Sequence, residues 1–542
     1  MIIIIFHFIL FLSIIFLHGL IFSNKVLNLN DNRNFYEISL IGLVITIFIS
    51  QIVNFLLPLS DNLLYLNIFL LIIFLIFNNK ILFSIPKLNI YVFFIAFLLI
   101  IMNIYGSGFS DDLDHYHYGF ISNADNESFI WGYSYLNLLY GTSPTWLTTQ
   151  SYLNFNYTRL QDIHVTNGII FFLLLGLLFS ELKSKIKLSF YKPFLFSILM
   201  FFLLKYTRLK EFGIDRPASI LFCFMIYFYL KYFLTPYKKD FINNFVILSI
   251  ISASIISIKI IYLPVFLLPL IILYQYRIQL FKNDKKYLIL FIPLTVLLLK
   301  NFLASGCIIF PIEKSCISLI SWSNNSGAKE LSILTETFNK SWTSYKGTLS
   351  EAIYINDFNW FKTWFDRGKF EILEFALTIC LITILTLISF KIRNNNHKKH
   401  KTELKSLFYF TIILFLVSGF IFFLKNPVIR MNHPTLISIM IFFLILFCNF
   451  DVKKYNLKLM YSFIFLALLF NSVKNVNRII EKDFVNNPLM EVSDKITSPT
   501  KLVLDDYVYF RGWYGETPIG NRELTSTKFK KKYLFKVIYK ID

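Results

Sequence analysis

The chain has no GxxxxGK[ST] phosphate loop, no GxGxxG dinucleotide fingerprint, no HExxH and no GxSxG. Nucleotide, zinc-hydrolase and serine-hydrolase chemistry of the kinds those motifs mark therefore lack support. Charge is also scarce. Only 16% of the residues are charged, against about a quarter in ordinary soluble domains. Cysteine is rarer still, at five in 542 residues.

Apolar sequence fills the space instead. It makes up 56% of the chain, and the mean hydropathy is +0.60. A spanning helix needs about 20 apolar residues to cross roughly 30 Å of hydrocarbon. Residues 371–392 and 406–425 meet that most cleanly. Continuous apolar runs exclude the alternating pattern of a barrel, so the expected fold is all-α: a polytopic helical membrane protein. Ile2 to Phe22 has no Lys or Arg before its apolar run and no small-residue cleavage pattern. It reads as a span that stays rather than a signal peptide. Cys223, Cys380 and Cys448 lie inside apolar segments and read as small core residues. Cys307 and Cys316 share one loop and can pair if it faces an oxidising compartment.

About fourteen spans are expected: 2–22, 38–58, 62–78, 89–105, 165–180, 193–207, 216–235, 244–258, 262–276, 287–303, 371–392, 406–424, 435–450 and 457–472. With the N-terminus outside, the inner loops hold 21 Lys or Arg. The short outer connections and the 106–164 loop hold six: Arg159, Arg208, Lys210, Lys259, Lys425 and Arg430. That asymmetry satisfies the positive-inside rule. Residues 244–276 are too long for one span, and Lys259 and Pro264 interrupt them midway. The net charge of +20 thus reads as cytoplasmic retention, and no nucleic-acid partner is expected.

The expected organisation is four N-terminal helices (1–105), an outer acidic loop (106–164), further helices (165–303), a second outer loop (304–370), the last helices (371–472) and an outer tail (473–542). Leu502–Phe510 and Tyr533–Tyr539 look like strands, so the tail should form a small α/β cap. All seven tryptophans fall in the expected outer regions, including Trp322 and Trp513. They form either an interfacial belt or a surface that stacks sugar rings.

The densest polar cluster is Asp111-Asp112-Leu113-Asp114-His115-Tyr116-His117. Three carboxylates and two imidazoles can hold a divalent cation, or one carboxylate can act as a general base. A solvated acidic helix start explains the same residues without function. Asp125, in the same loop but outside the cluster, is expected to be silent. Asp215 reads first as the cap of a following helix that begins near Pro217. Lys259 and Arg430 sit at span boundaries, where they either bind a phosphate or snorkel to the interface.

Asp112-Leu113-Asp114-His115-Tyr116-His117, followed by Gly132, Asn137, Tyr140-Gly141-Thr142-Ser143 and Trp146, resembles a block in large bacterial membrane proteins of surface-polysaccharide gene clusters. The stretch from Ser305-Gly306-Cys307 to Pro311 with Trp322 is similar too, as are Pro427 to Arg430 and Trp513-Tyr514-Gly515 with Pro518. Those proteins are distantly similar in plan to the GT-C superfamily of membrane glycosyltransferases. GT-C enzymes use polyprenyl-phosphate or polyprenyl-diphosphate sugars and place an acidic residue in an outer loop beside the membrane. Here the acidic cluster follows the fourth expected span, whereas GT-C enzymes normally carry it after the first.

The resemblance implies a glycosyltransferase of the bacterial inner membrane in surface-glycan assembly. Its partners would be membrane lipids, a polyprenyl-phosphate-linked sugar and a glycan acceptor. Asp112, Asp114 and His117 would be catalytic, with a divalent cation on Asp112 and Asp114. Asp215, Lys259, Arg430, Trp322 and Trp513 would bind substrate. Two alternatives stand beside it: a polysaccharide polymerase or ligase, and a lipid-linked glycan transporter or flippase. The transporter predicts ionisable residues buried midway through spans, for which Lys259 is the one candidate seen.

Overall fold

In the computed structural model the apolar runs become helices. The structure describes residues 2–28, 33–78, 85–86, 88–106, 112, 116–183, 191–209, 213–233, 241–281, 291–392, 424–429, 431, 436, 450–481, 500–504, 507–511, 519–520, 527–532 and 535–540. The chain begins with α1 (Ile2–Ile21), α2 (Phe35–Leu56), α3 (Asp61–Phe77), α4 (Ile90–Tyr105), α5 (Tyr118–Asn126) and α6 (Thr145–Tyr152). It continues with α7 (Arg159–Leu182), α8 (Tyr191–Lys205), α9 (Asp215–Tyr232), α10 (Phe241–Ile258), α11 (Leu267–Phe281) and α12 (Phe291–Ser305). The last helices are α13 (Asn325–Asn339), α14 (Glu351–Ile355), α15 (Phe361–Ser389) and α16 (Leu457–Glu481).

Local chemistry sets several boundaries. Asn34 caps α2 by accepting the Glu37 N–H at 2.9 Å, and Asn89 caps α4 through Val92 N–H at 3.3 Å. α1 and α2 touch backbone to backbone at Gly19 and Gly42. A Cβ on Gly19 would fall 2.0 Å from the Ile38 carbonyl oxygen, and one on Gly42 1.9 Å from that of Ile15. Small residues are what permit such an approach between apolar helices. α10 stops at Lys259, whose backbone is extended (φ −148°, ψ 112°). Ile260–Phe266 then forms a 3₁₀ turn holding Pro264, so the expected interruption of 244–276 is real.

This is a helical membrane protein, but the fourteen spans are corrected. Among the described residues six helical stretches are long and apolar enough to cross a membrane: Ile2–Val26, Phe35–Leu56, Asp162–Leu182, Phe241–Ile258, Phe361–Ser389 and Leu457–Glu481. Asp61–Phe77, Ile90–Tyr105, Ile260–Tyr274 and Ile292–Ser305 are apolar but shorter. The expected spans at 406–424 and most of 435–450 lie outside the described residues. The six differ in place. Asp162–Leu182 and Phe241–Ile258 are enclosed by other helices, whereas α15 and α16 expose rows such as Phe370, Leu373, Leu377 and Ile384, or Phe465, Leu466, Leu469 and Val473. Contiguous apolar surface of that extent calls for lipid rather than water. Cys380 is exposed on α15 and is not the core residue expected; Cys223 is buried, and Cys448 lies outside the described residues.

The expected loops are largely folded. α5, α6 and the start of α7 occupy 106–164, and α13 and α14 occupy part of 304–370. Cys307 and Cys316 form a disulfide. β2 (Phe390–Ile392) pairs antiparallel with β3 (Phe450–Tyr455), and the tail forms a small sheet region, as its strand-like runs suggested. β4 (Thr500–Leu504), β5 (Tyr507–Arg511) and β6 (Ile519–Gly520) make one sheet. β7 (Thr527–Lys532) and β8 (Phe535–Lys540) are antiparallel, and β8 also pairs in parallel with β1, Ile130–Trp131. Asn123 on α5 clamps the tail: its Nδ2 donates to the Ile519 carbonyl at 2.9 Å, and its Oδ1 accepts the Ile519 N–H at 2.6 Å.

One end of the bundle holds a charge cluster absent from the sequence reading. Glu37, fully buried on α2, accepts from Lys231 Nζ of α9 at 2.8 Å and from the Tyr227 hydroxyl at 3.0 Å, and from the Tyr232 hydroxyl. Lys231 also donates to Glu181 of α7 at 2.9 Å, and Glu181 accepts from Tyr191 at 2.8 Å. Arg33 lies 3.9 Å from Glu37 and donates to Asn244 at 2.6 Å. Lys259 is therefore not the one ionisable residue inside the apolar helices.

Candidate functional site

At the other end of the same helices the polar residues predicted from sequence begin to converge. α9 starts at Asp215, and its carboxylate forms an ion pair with Lys259 at the break after α10. The expected cap role is not what the side chain does. Position N-cap is Ile214, with no side-chain cap, and Asp215 serves instead as a partner across two helices. Its backbone carbonyl accepts from Ser219 at 2.7 Å. Tyr262, in the 3₁₀ turn that follows Lys259, donates to the Met431 carbonyl at 3.0 Å. That contact brings the segment next to Arg430 into this region. Arg430 itself lies outside the described residues.

His117 opens the other side. It precedes α5 and is 1% exposed. Neither ring nitrogen has a hydrogen-bond partner among the described residues. Burial pushes its pKa down to about 3, and the nearby Asp215 carboxylate pulls in the opposite direction. The imidazole is thus held neutral, with one N–H and one lone pair left for something else. Asp112, five residues earlier in the chain, is half-buried. Asp111, Asp114 and His115 lie outside the described residues, so the expected cation site on Asp112 and Asp114 falls partly there. Among the described residues no group of three or more acids, histidines or cysteines can hold a metal.

The scaffold beneath is tightly specified. Gly132, at φ +75°, bonds the Leu303 carbonyl through its N–H at 2.8 Å, and a Cβ there would meet the Ile538 carbonyl oxygen at 2.2 Å. Asp125 is buried and accepts from Ser151 at 2.5 Å and Asn154 at 3.0 Å. It is a structural acid. Trp146 is fully buried and donates to Asn167 at 2.9 Å. Trp322 is half-buried; its ring lies 5.0 Å from that of Trp131, and its indole N–H donates to the Phe302 carbonyl at 3.0 Å. Trp513 lies outside the described residues.

Sequence reasoning missed Lys300. It is 2% exposed in the apolar α12, and its ammonium is pinned by the carbonyls of Ser143 (2.6 Å) and Ser257 (2.5 Å). A lone lysine in an apolar run is the signal that marks it. Ser143 takes a positive φ of 38° there, so the pin and the turn coincide.

Residues 1–432 match the family described as a domain of unknown function, DUF8201. The chain belongs to that family. The match takes in Asp112, His117, Asp215, Lys259 and Arg430 and stops before α16 and the tail. No curated protein and no solved structure matches the chain.

Proposed function

We propose that this DUF8201 protein is a membrane glycosyltransferase that uses a polyprenyl-(di)phosphate-linked sugar to build a cell-surface glycan. The observation that carries the reading is one gathering of groups. Buried His117, with no hydrogen-bond partner among the described residues, lies within electrostatic reach of the Asp215–Lys259 ion pair at one end of an apolar helix bundle, and half-buried Asp112 precedes His117 by five residues of chain. Chemistry on a lipid-anchored phosphate requires such a place, with polar groups at the limit of a hydrocarbon-facing surface. Carboxylate at Asp112, or at Asp114 in the same cluster, takes the acceptor's hydroxyl proton. The acceptor oxygen bonds to the anomeric carbon while the anomeric C–O bond to phosphate breaks. Phosphate leaves with the bonding electrons, and Lys259 and Arg430 offset its growing charge.

The Lys and Arg distribution supports an orientation with the N-terminus and tail outside a bacterial plasma membrane. Reporters test it. A fusion after Asn396 should register cytoplasm and one within 304–370 the outside; both on one side would refute it. For activity, lipid-linked glycans from cells carrying wild-type protein, Asp112→Asn or a deletion are compared by mass spectrometry. Donor should accumulate in both altered strains. Normal glycan from well-folded Asp112→Asn together with Asp114→Asn would remove the enzyme reading.

A further inference from the structure

We propose that the C-terminal half of α13 is set in the headgroup layer of the bilayer, with Leu334 and Phe338 against lipid acyl chains. α13 carries one apolar stripe, Ala328, Leu331, Leu334 and Phe338, at spacings of three and four residues. The first half of the stripe is covered: Ala328 and Leu331 pack with Leu138, Cys307 and Phe310. The second half is bare. Leu334 is 51% and Phe338 60% exposed, and Ile333 beside them is exposed too.

Two contacts fix the level of this bare half. The Arg367 guanidinium of α15 lies 5.8 Å from the centre of the Phe338 ring. Beyond Arg367, residues 372–389 of α15 hold a single charge, Glu374, and cover about 27 Å, close to the hydrocarbon thickness. Arg367 stands about 8 Å of helix outside that stretch, and the headgroup layer is roughly 5–8 Å deep on each side. Glu336, in the same half of α13, pairs with Lys425, the first charged residue after the apolar run 406–424. Two segments that border apolar runs thus meet α13 near its end.

The bare surface also continues a row that already faces lipid. Phe370, one turn after Arg367 and on the same side of α15, begins the exposed series that Leu373 and Leu377 extend. Acyl chains on that row reach Phe338 past Arg367, whose stem is apolar and whose head belongs among headgroups. Trp342, four residues after Phe338, and Trp364, one turn before Arg367, are half-buried at the same end. Tryptophans gather at this depth in membrane proteins, so these two fit the interfacial belt better than a sugar-stacking surface. Lipid contact here is independent of the transferase reading and of which side of the membrane carries 304–370.

The test uses the full chain in phosphatidylcholine nanodiscs, with Cys223, Cys380 and Cys448 replaced by alanine. Leu334→Cys, Phe338→Cys and Lys329→Cys each carry a nitroxide. Electron paramagnetic resonance reads its collisions with oxygen and with a water-soluble nickel chelate. Oxygen should dominate severalfold at 334 and 338. The chelate should dominate at 329, which is exposed on the side of α13 opposite the stripe. All three native side chains are exposed, so each labelled protein should unfold at the temperature of its unlabelled parent. Dominance of the chelate at 334 and 338 would leave the stripe in water and overturn the proposal. Collisions with neither reagent there would mean a cover of protein, from a second copy or another chain, and would overturn it too.

Discussion

α9 carries both charge clusters, Lys231 near its end and Asp215 at its start, about 24 Å apart along the helix. The two are built differently. Around Lys231, two carboxylates meet two bases, and tyrosine hydroxyls and an asparagine accompany them. Around Asp215, one ion pair with Lys259 stands near a neutral imidazole, that of His117, whose ring nitrogens have no hydrogen-bond partner among the described residues. A balanced cluster closes on itself and fixes helices in place. An unbalanced one, with ring nitrogens unused among the described residues, has bonding capacity for a ligand. Ionisable groups among apolar helices are thus not of one kind; what separates them is whether every polar group in the cluster is engaged.

The largest expected effect lies on the unbalanced side. Asp112→Asn should lower transfer by roughly 10²–10⁴ if its carboxylate is the base, with the melting temperature nearly unchanged. A loss of activity that tracks a loss of fold would merge the two clusters into one structural class. On the balanced side, Glu37→Leu takes the carboxylate from Arg33, leaves Lys231 with Glu181 alone, and should cost about 3–5 kcal/mol. Thermal unfolding in detergent reads it, and Asp215→Asn should cost clearly less because its pair keeps contact with solvent. Equal losses would erase the distinction. Asp125→Ala leaves Ser151 and Asn154 without their acceptor, for about 1–3 kcal/mol, and the protein that folds should remain active.

His117 gives the most specific signal. Its folded pKa of about 3 lies below the ordinary 6.5, so the unfolded chain binds the extra proton between those values. Stability from the neutral imidazole is complete above pH 6.5 and falls as pH drops toward 3, by up to about 1.4 kcal/mol per unit. His117→Asn should flatten that slope in unfolding measured from pH 7 to pH 4. A slope unchanged by the substitution would assign it to other groups.

Much of the helical plan was legible because apolar runs and breaks are local signals. Lys259 with Pro264 announced the end of α10, and the tail's strands announced themselves by composition. The span count was not legible, since short apolar runs such as 62–78 and 89–105 resemble spans while falling short of one. Nor was the Glu37 cluster. Arg33, Glu37, Glu181 and Lys231 are scattered over two hundred residues, and three of them lie where loop charges are expected. Asp215 read as a cap because its true partner, Lys259, is 44 residues away. Arg478 read as tail because α16 runs past the apolar stretch that defined it.

The clamp between Asn123 and Ile519 spans 396 residues of chain. At ~5–20 residues per second, synthesis of that interval takes roughly 20–80 s. Throughout that time α5 and β1 stand on the membrane without their sheet partners, beside the residues that would handle substrate. Premature termination after α16 would leave every apolar helix intact and the protein inserted, yet with the edge of β1 bare. Such a truncated chain should be kept in the membrane while becoming a target for proteases and for pairing with stray strands, so quality control of this protein falls to the segment that carries Ile519.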